Sequence, residues 1–315
     1  MSNCSISSFS IATFNLFNYL APPNAYYQFD NIYTAEEWRG KQRWLDEYLS
    51  ELSADIVAFQ EVFSPEELNQ QCVRLGYTDF ACRSAPKVES DYVYSQPPVA
   101  LASRFPIISS TAVESHNIRN ISRKHAFSRA PLHCVIEVPR FGLIDVIVVH
   151  LKSQRSSLEV DDQMSEDQRH QASVHGGWLS TEQRGSEAEM LSHYIKQVHR
   201  QHRRPVVLLG DFNQDLSASE FHNLASMAHT HALHDSFALQ KQRPTQRPAT
   251  HYFGDKGNVL DYLLLSNEFV SQHPKQALQV EQVSIYDRHL VAPSFETDRY
   301  ASDHAAVKGL FSFSR

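Results

Sequence analysis

"PVVLLGDFNQD", residues 205–215, is the stretch on which the fold turns. An aliphatic run, Val206 to Leu209, passes through Gly210 into Asp211, with Phe212 and Asn213 directly behind it. A strand places alternate residues on one face, so a carboxylate and an amide share a face where the apolar run stops. Asp and Asn are also common turn formers after any strand. Other strand ends decide between the two readings.

Comparable apolar runs recur along the chain: "FSIATFNL" (9–16), "DIVAFQEV" (55–62), "PVALASRFPI" (98–107), "LHCVIEV" (132–138), "LIDVIVVHL" (143–151), "VLDYLLLS" (259–266) and "AAVKGLFSF" (305–313). Most are continuous, as expected of strands covered on both faces. Helical segments lie between some of them. In 34–52, Trp38, Leu45, Tyr48, Leu49 and Leu52 fall on one face behind Thr34 as N-cap. Residues 64–76 open with Ser64-Pro65 and close at Gly76, the asymmetry of a short helix. In 186–201, Ala188, Leu191, Tyr194, Ile195 and Val198 repeat at helical spacing. Strands and helices so mixed predict an α/β sandwich, two facing mixed sheets with helices outside.

Residues 155–181 stand apart: polar, aperiodic and carrying Gly176-Gly177. They read as a flexible insertion within a single domain spanning 1–315, with a substrate lid as the second choice because they follow His150. The 315 residues, 42% hydrophobic and 21% charged, have ordinary globular composition. No apolar run reaches membrane-spanning length, and the N-terminal segment lacks the regions of a signal peptide. Cys4, Cys72, Cys82 and Cys134 form no C-x-x-C pair, which predicts reduced thiols and a cytoplasmic location. A net charge of −7 argues against a dominant basic surface for nucleic acid, though a bound cation and a few local Arg or Lys can neutralise phosphate. No protein partner is expected, and a monomer is the expectation.

Polar chemistry recurs at the ends of the apolar runs. Asn15, Gln60 and Glu61, His150, Asp211 and Asn213, Asp261, and Asp303 with His304 each stand where such a run begins or stops. Gathered at one edge, so many carboxylates repel unless a cation or proton relieves them. Carboxylate and amide oxygens suit a hard cation: Mg²⁺, with Mn²⁺ or Ca²⁺ as alternatives. Such an ion flanked by imidazoles is a hydrolytic site for phosphate esters.

In this order, N … QE … H … GDFN … DY … SDH resembles the endonuclease/exonuclease/phosphatase superfamily, whose type member is deoxyribonuclease I. The segments "ASRFPI" (102–107), "FSRAPL" (127–132), "RGSEAEML" (184–191) and "ALHD" (232–235) also fall in family order. The resemblance implies a four-layer α/β sandwich and a Mg²⁺-dependent hydrolase of phosphate esters. It implies metal ligation by Glu61 with Asn15 and Asp303, and water and phosphoryl handling by Asp211 and Asn213. His150 and His304 are then the active-site histidines, Asp261 orients His304, and Arg129 contacts phosphate. The family pairs the first histidine with an upstream acid, here Glu89 or Asp91. The substrate expected is nucleic acid, DNA or RNA, with a small phosphate ester such as an inositol phosphate, sugar phosphate or phospholipid head group as the alternative. A catalytically inactive binding protein on the same fold is the third reading; the retained carboxylates argue against it.

Two further motifs invite other readings. His229, His231 and His234 suggest zinc, but the run does not meet H-x-H-x-D-H and reads as helix-end and surface histidines. "HRQHRRP" (199–205) reads as the last turn of a helix, where cations favour the dipole.

Overall fold

The computed structural model describes residues 8–119, 126–158, 163–225, 233–242 and 244–313. One six-stranded sheet runs in the order β16 (Leu278–Tyr286), β17 (Ala306–Phe313), β1 (Ser8–Tyr19), β3 (Ile56–Val62), β7 (Ala100–Ser103), β4 (Asp79–Cys82). The other runs β12 (His234–Asp235), β15 (Asp261–Leu265), β11 (Val206–Asp211), β10 (Gly142–His150), β9 (Leu132–Val138), β8 (Ile107–Ala112). A three-stranded sheet of β2 (Ala25–Tyr26), β6 (Val93–Ser95) and β5 (Lys87–Ser90), and a hairpin of β13 (His251–Phe253) and β14 (Lys256–Asn258), sit apart from both. Each large sheet has one parallel pair at its centre, β1 with β3 and β10 with β11.

Three apolar clusters define four layers. Ile11, Ile56, Val146, Leu209, Leu263 and Phe311 fill the space between the sheets. Phe14, Val57 and Phe59 pack under Trp44, Leu45 and Leu49 of helix α1 (Ala35–Leu52). Ile147, Leu208 and Leu264 pack under Leu191, Tyr194 and Ile195 of helix α3 (Glu166–His202). The continuous apolar runs follow directly: in β11, Val207 and Leu209 face the other sheet while Val206 and Leu208 face α3. Each such side chain contributes about 1.5–3 kcal/mol on leaving water.

Helix α1 starts as expected, Thr34 and Glu37 forming a reciprocal capping box. Helix α2 (Pro65–Arg74) also forms, but the Ser64 hydroxyl makes no cap bond and instead accepts from the Ala21 amide. Residues 98–107 are not one strand. Arg104–Pro106 end β7 in one sheet and release the chain into β8 of the other, because proline cannot donate to a ladder. Strand β16 had no apolar run to announce it; it is an edge strand with a mixed burial pattern.

The expected flexible insertion is corrected in large part. Ser165 and Gln168 form a capping box, and residues 166–181 are the first half of the 37-residue α3. This half is mostly exposed, so it has little apolar periodicity to read. Gly176 is a packing glycine: a Cβ there would stand 1.8 Å from Ser156 Oγ, so its absence lets 156–158 lie against the helix. His199, Arg200 and His202 do form the last helical turn. His229 and His231 lie outside the described residues; His234 pairs its Nε2 with Asn267 Oδ1 at 2.8 Å.

One buried carboxylate ties α1 to the chain entering β17. Asp298 accepts from Arg288 Nη1 and Nη2 (2.8 and 2.7 Å), the Ser294 amide (2.8 Å) and Trp44 Nε1 (3.1 Å). The Arg288 bonds above all hold this carboxyl well below the usual range. A depressed folded pKa stabilises above the ordinary carboxylate range, and that contribution is lost as pH falls through the folded value. Asp298→Asn is therefore expected to be less stable at pH 7 and to lose less on going from pH 5 to pH 2. Thermal midpoints across that window check it.

Candidate active site

Register and alternation deliver the site. His150 pairs with Asp211, Asp211 with Asp261, and Asn15 with Gln60. Asp211 follows Leu209 in phase, His150 follows Val148, Asp261 precedes Leu263, and Asn15 is in phase with Ile11. All four neighbours face the space between the sheets. The four polar side chains therefore emerge at one rim of that space, and each is nearly inaccessible to solvent.

Glu61 reaches the rim differently. Its left-handed backbone (φ 60°) breaks the alternation of β3 and turns the carboxylate toward Asn15. Asn15 Nδ2 lies 3.1 Å from Asp211 Oδ2 and 3.4 Å from Glu61 Oε1, so Asn15 joins the two acids as a donor. Its Oδ1 accepts from the Phe17 amide, and Glu61 Oε2 accepts from the Asn18 amide at 2.8 Å. Asn213, also left-handed at φ 55°, donates its amide N–H to Asp211 Oδ1 (2.7 Å) and its Nδ2 to the Leu151 carbonyl.

Two imidazoles flank Asp211. His150 Nε2 stands 3.5 Å from Asp211 Oδ2, and His304 Nε2 stands 3.9 Å from the same oxygen. Asp261 Oδ2 accepts from His304 Nδ1 at 2.8 Å, which fixes the ring. The two histidines titrate in opposite directions. Burial, then the charges of Arg129 and His304, push His150 far down and keep it neutral. Burial also pulls on His304, but Asp261, Asp211 and Asp303 outweigh it and hold the ring cationic. Burial pushes the Asp211 carboxyl up to about 7, against the nearby His304 charge and the Asn213 and Asn15 hydrogen bonds.

His150, Asp211, Asn213 and His304 line a cavity of about 550 Å³ that also receives Glu61, Arg129 and Asp303, with Asp261 and Asn15 behind its wall. The residues fit a hard cation. Glu61 and Asp303 offer oxygens, Asp303 Oδ1 is buried without a protein partner, and Lys41 behind them is shielded from solvent. Burial lowers the Lys41 ammonium to about 8, while Glu61 and Asp303 pull it back up.

The upstream acid expected beside His150 is not there. Glu89 is exposed on β5, bonded to Ser95 and Lys87, and Asp91 is exposed too. His150 Nδ1 has no partner among the described residues. The carrier segment pairs into the small sheet, which keeps its acids away from the cavity.

The sequence profile of the endonuclease/exonuclease/phosphatase family matches residues 12–304. The chain belongs to the endonuclease/exonuclease/phosphatase family. It is therefore built on the fold of a family of phosphate-ester hydrolases. Among curated proteins no sequence match is found. Of solved structures, the human Nocturnin catalytic domain with bound sulfate is similar at a TM-score of 0.62 and 19% identity, covering 98% of this chain and 94% of that one. A humanized TDP2 from D. rerio aligns at 0.59 and 14%, covering 97% and 99%. The mannosyl-6-phosphatase Bt3783 of Bacteroides thetaiotaomicron aligns at 0.58 and 16%, covering 98% and 100%. At such identities the likeness speaks for the fold.

Several residues of this family member's site carried no strand-end signal. Glu187 on α3 is buried and accepts from the Ser128 amide (2.7 Å) and the Lys152 amide (2.8 Å), tying the Arg129 segment to the end of β10. His289 donates Nε2–H to the His304 carbonyl at 2.9 Å, its ring held edge-on against Trp44 and Tyr48. Glu187 lay in a quoted family segment, but only the packing of α3 gives it a partner. Tyr27, His251, Phe253 and Lys256 reach the cavity through loops and the β13–β14 hairpin, where sequence offers no periodicity.

Proposed function

We propose that this protein is a divalent-cation-dependent phosphoesterase acting on a nucleotide-based ester, with the end of a nucleic acid strand as the favoured substrate. The observation that carries the chemistry is buried Asp211 with His150 Nε2 at 3.5 Å and His304 Nε2 at 3.9 Å from its Oδ2. A carboxylate poised near neutral pH is a base matched to deprotonating water. Cationic His304, oriented by Asp261, and Asn213 stabilise charge gathering on the phosphoryl oxygens, with Arg129 beside them. Neutral His150 hydrogen-bonds the same group from the other side. Glu61 and Asp303 would hold Mg²⁺, which supplies Lewis-acid polarisation of the phosphoryl group.

The substrate class rests on the cavity's mouth. Phe17, Tyr27 and Phe253 stand there with Arg129, Arg155 and Lys256, and Phe253 is 81% exposed. Aromatic faces beside cations suit a base next to a phosphate. A cavity of this size, on a chain of net charge −7, suits an end-on substrate better than a long duplex.

A panel of oligonucleotides, dinucleotides, mononucleotides, inositol phosphates and sugar phosphates tests this in Mg²⁺ and in EDTA. The nucleotide-based esters are expected to turn over at least about tenfold faster, given a stacking contribution of 1–3 kcal/mol per base, and only with metal. Faster release from sugar or inositol phosphates would overturn the substrate assignment. Phe253→Ala is expected to raise KM about tenfold with kcat nearly unchanged.

A further inference from the structure

Helix α1 buries Trp38, Trp44, Leu45, Tyr48, Leu49 and Leu52, and Lys41 lies on the same buried face, three residues after Trp38 and four before Leu45. Helical spacing calls for an apolar side chain there. Lys41 is 4% exposed, and lysine is almost never so buried unless it is paired. Yet it makes no hydrogen bond or ion pair among the described residues. Its ammonium nitrogen stands 5.6 Å from the centre of the Phe17 ring and 5.7 Å from that of Tyr33. Ring faces attract a cation, but they do not replace the water it has given up.

The charges that act on Lys41 explain its place. Burial lowers the ammonium to about 8, and Glu61 and Asp303 are the groups that pull it back up, so at pH 7 it carries its charge. Both acids line the cavity, whereas Lys41 stands outside that lining. A cation behind two carboxylates offsets their mutual repulsion while no metal is bound. It also repels any ion they take up, because the two positive charges then share one poorly solvated region.

We propose that Lys41 is a built-in counter-cation of the metal site, offsetting Glu61 and Asp303 in the metal-free protein and holding down their affinity for Mg²⁺. This role rests on Glu61 and Asp303 being the ligands proposed above. Lys41 acts through those two acids, so its effect is read in metal binding and needs no substrate. The sign separates charge from packing. Disturbing α1 would misplace the acids and weaken binding, whereas removing a repelling charge tightens it.

EDTA-stripped protein is titrated calorimetrically with Mg²⁺ at pH 7 as wild type, Lys41→Met, Lys41→Gln and Lys41→Arg, with Glu61→Gln alongside. Lys41→Met and Lys41→Gln are expected to bind Mg²⁺ about tenfold tighter, and Lys41→Arg, which keeps the charge, to stay within about threefold of wild type. Glu61→Gln is expected to bind much more weakly. Uncharged variants that bind no more tightly than wild type, or an arginine variant that tightens as much as they do, would overturn the role of Lys41 and leave the ligands standing. A wild type that takes up no Mg²⁺, or Glu61→Gln binding as wild type does, would overturn both. Thermal midpoints in EDTA confirm that the variants fold, and two uncharged substitutions keep the test valid if one does not.

Discussion

Asp211→Asn is expected to lower kcat by roughly two to four orders of magnitude, the range that general-base removal spans, while the protein stays folded. The substitution keeps the shape of the side chain and its place between Asn15, His150 and His304. It removes the one buried carboxyl of the site that is pushed up to about 7. Stability carries a second signature of the same group. Folded Asp211 and folded His304 both hold protons more tightly than in the unfolded chain. The share of metal-free stability that these two groups supply therefore falls as pH rises from about 5 toward 8, because the unfolded state releases those protons first, while neutral His150 contributes with the opposite sign. Asp211→Asn removes the carboxyl's share, so relative to wild type the variant gains ground as pH rises from about 5 to 8. Steady-state rates with Mg²⁺ and thermal midpoints in EDTA at pH 5 and pH 8 measure both. A variant keeping more than a tenth of the wild-type rate would sink the assignment of Asp211 as base.

Gly210→Ala is expected to abolish folding or to cost on the order of 4 kcal/mol or more, which would place it among the exceptional single substitutions. Gly210 has φ +145°, a conformation side-chain-bearing residues rarely adopt. A Cβ there would lie 1.9 Å from the Val149 carbonyl oxygen on β10, and backbone cannot step aside as a side-chain tip can. Val149 and Gly210 are paired one step before His150 and Asp211. Relief of the clash must therefore separate the two strands that carry Asp211 and His150. Soluble expression and a urea unfolding curve decide it; wild-type stability would mean the ladder tolerates the shift. The same position explains the glycine in "LLGD": it belongs to strand packing, and the aspartate after it lines the cavity.

The sequence by itself determined the parts of this protein governed by local periodicity. Strands covered on both faces are mostly apolar, so β1, β3, β9, β10, β11, β15 and β17 were legible as largely apolar runs. A polar residue at the end of such a run stands out because nothing in the run's own packing calls for it. Asn15, Glu61, His150, Asp211, Asp261, Asp303 and His304 all showed this signal, and the structure gathers them at one rim. Asn213 showed it beside Asp211, Arg129 followed from motif order, and both border the same cavity. Only the tertiary structure decided what comes from elements without that signal. The exposed first half of α3 buries too little to be periodic, so its helix shows only in the fold. Glu187 and His289 act on backbone groups far away in sequence, and their partners exist only once α3 and α1 have packed. The mouth of the cavity, with Tyr27, His251, Phe253 and Lys256, is built from loops and a hairpin, whose positions depend on contacts between layers. The sequence could mark the carboxylates at strand ends because alternation is local; it could not place the groups around them because proximity is not.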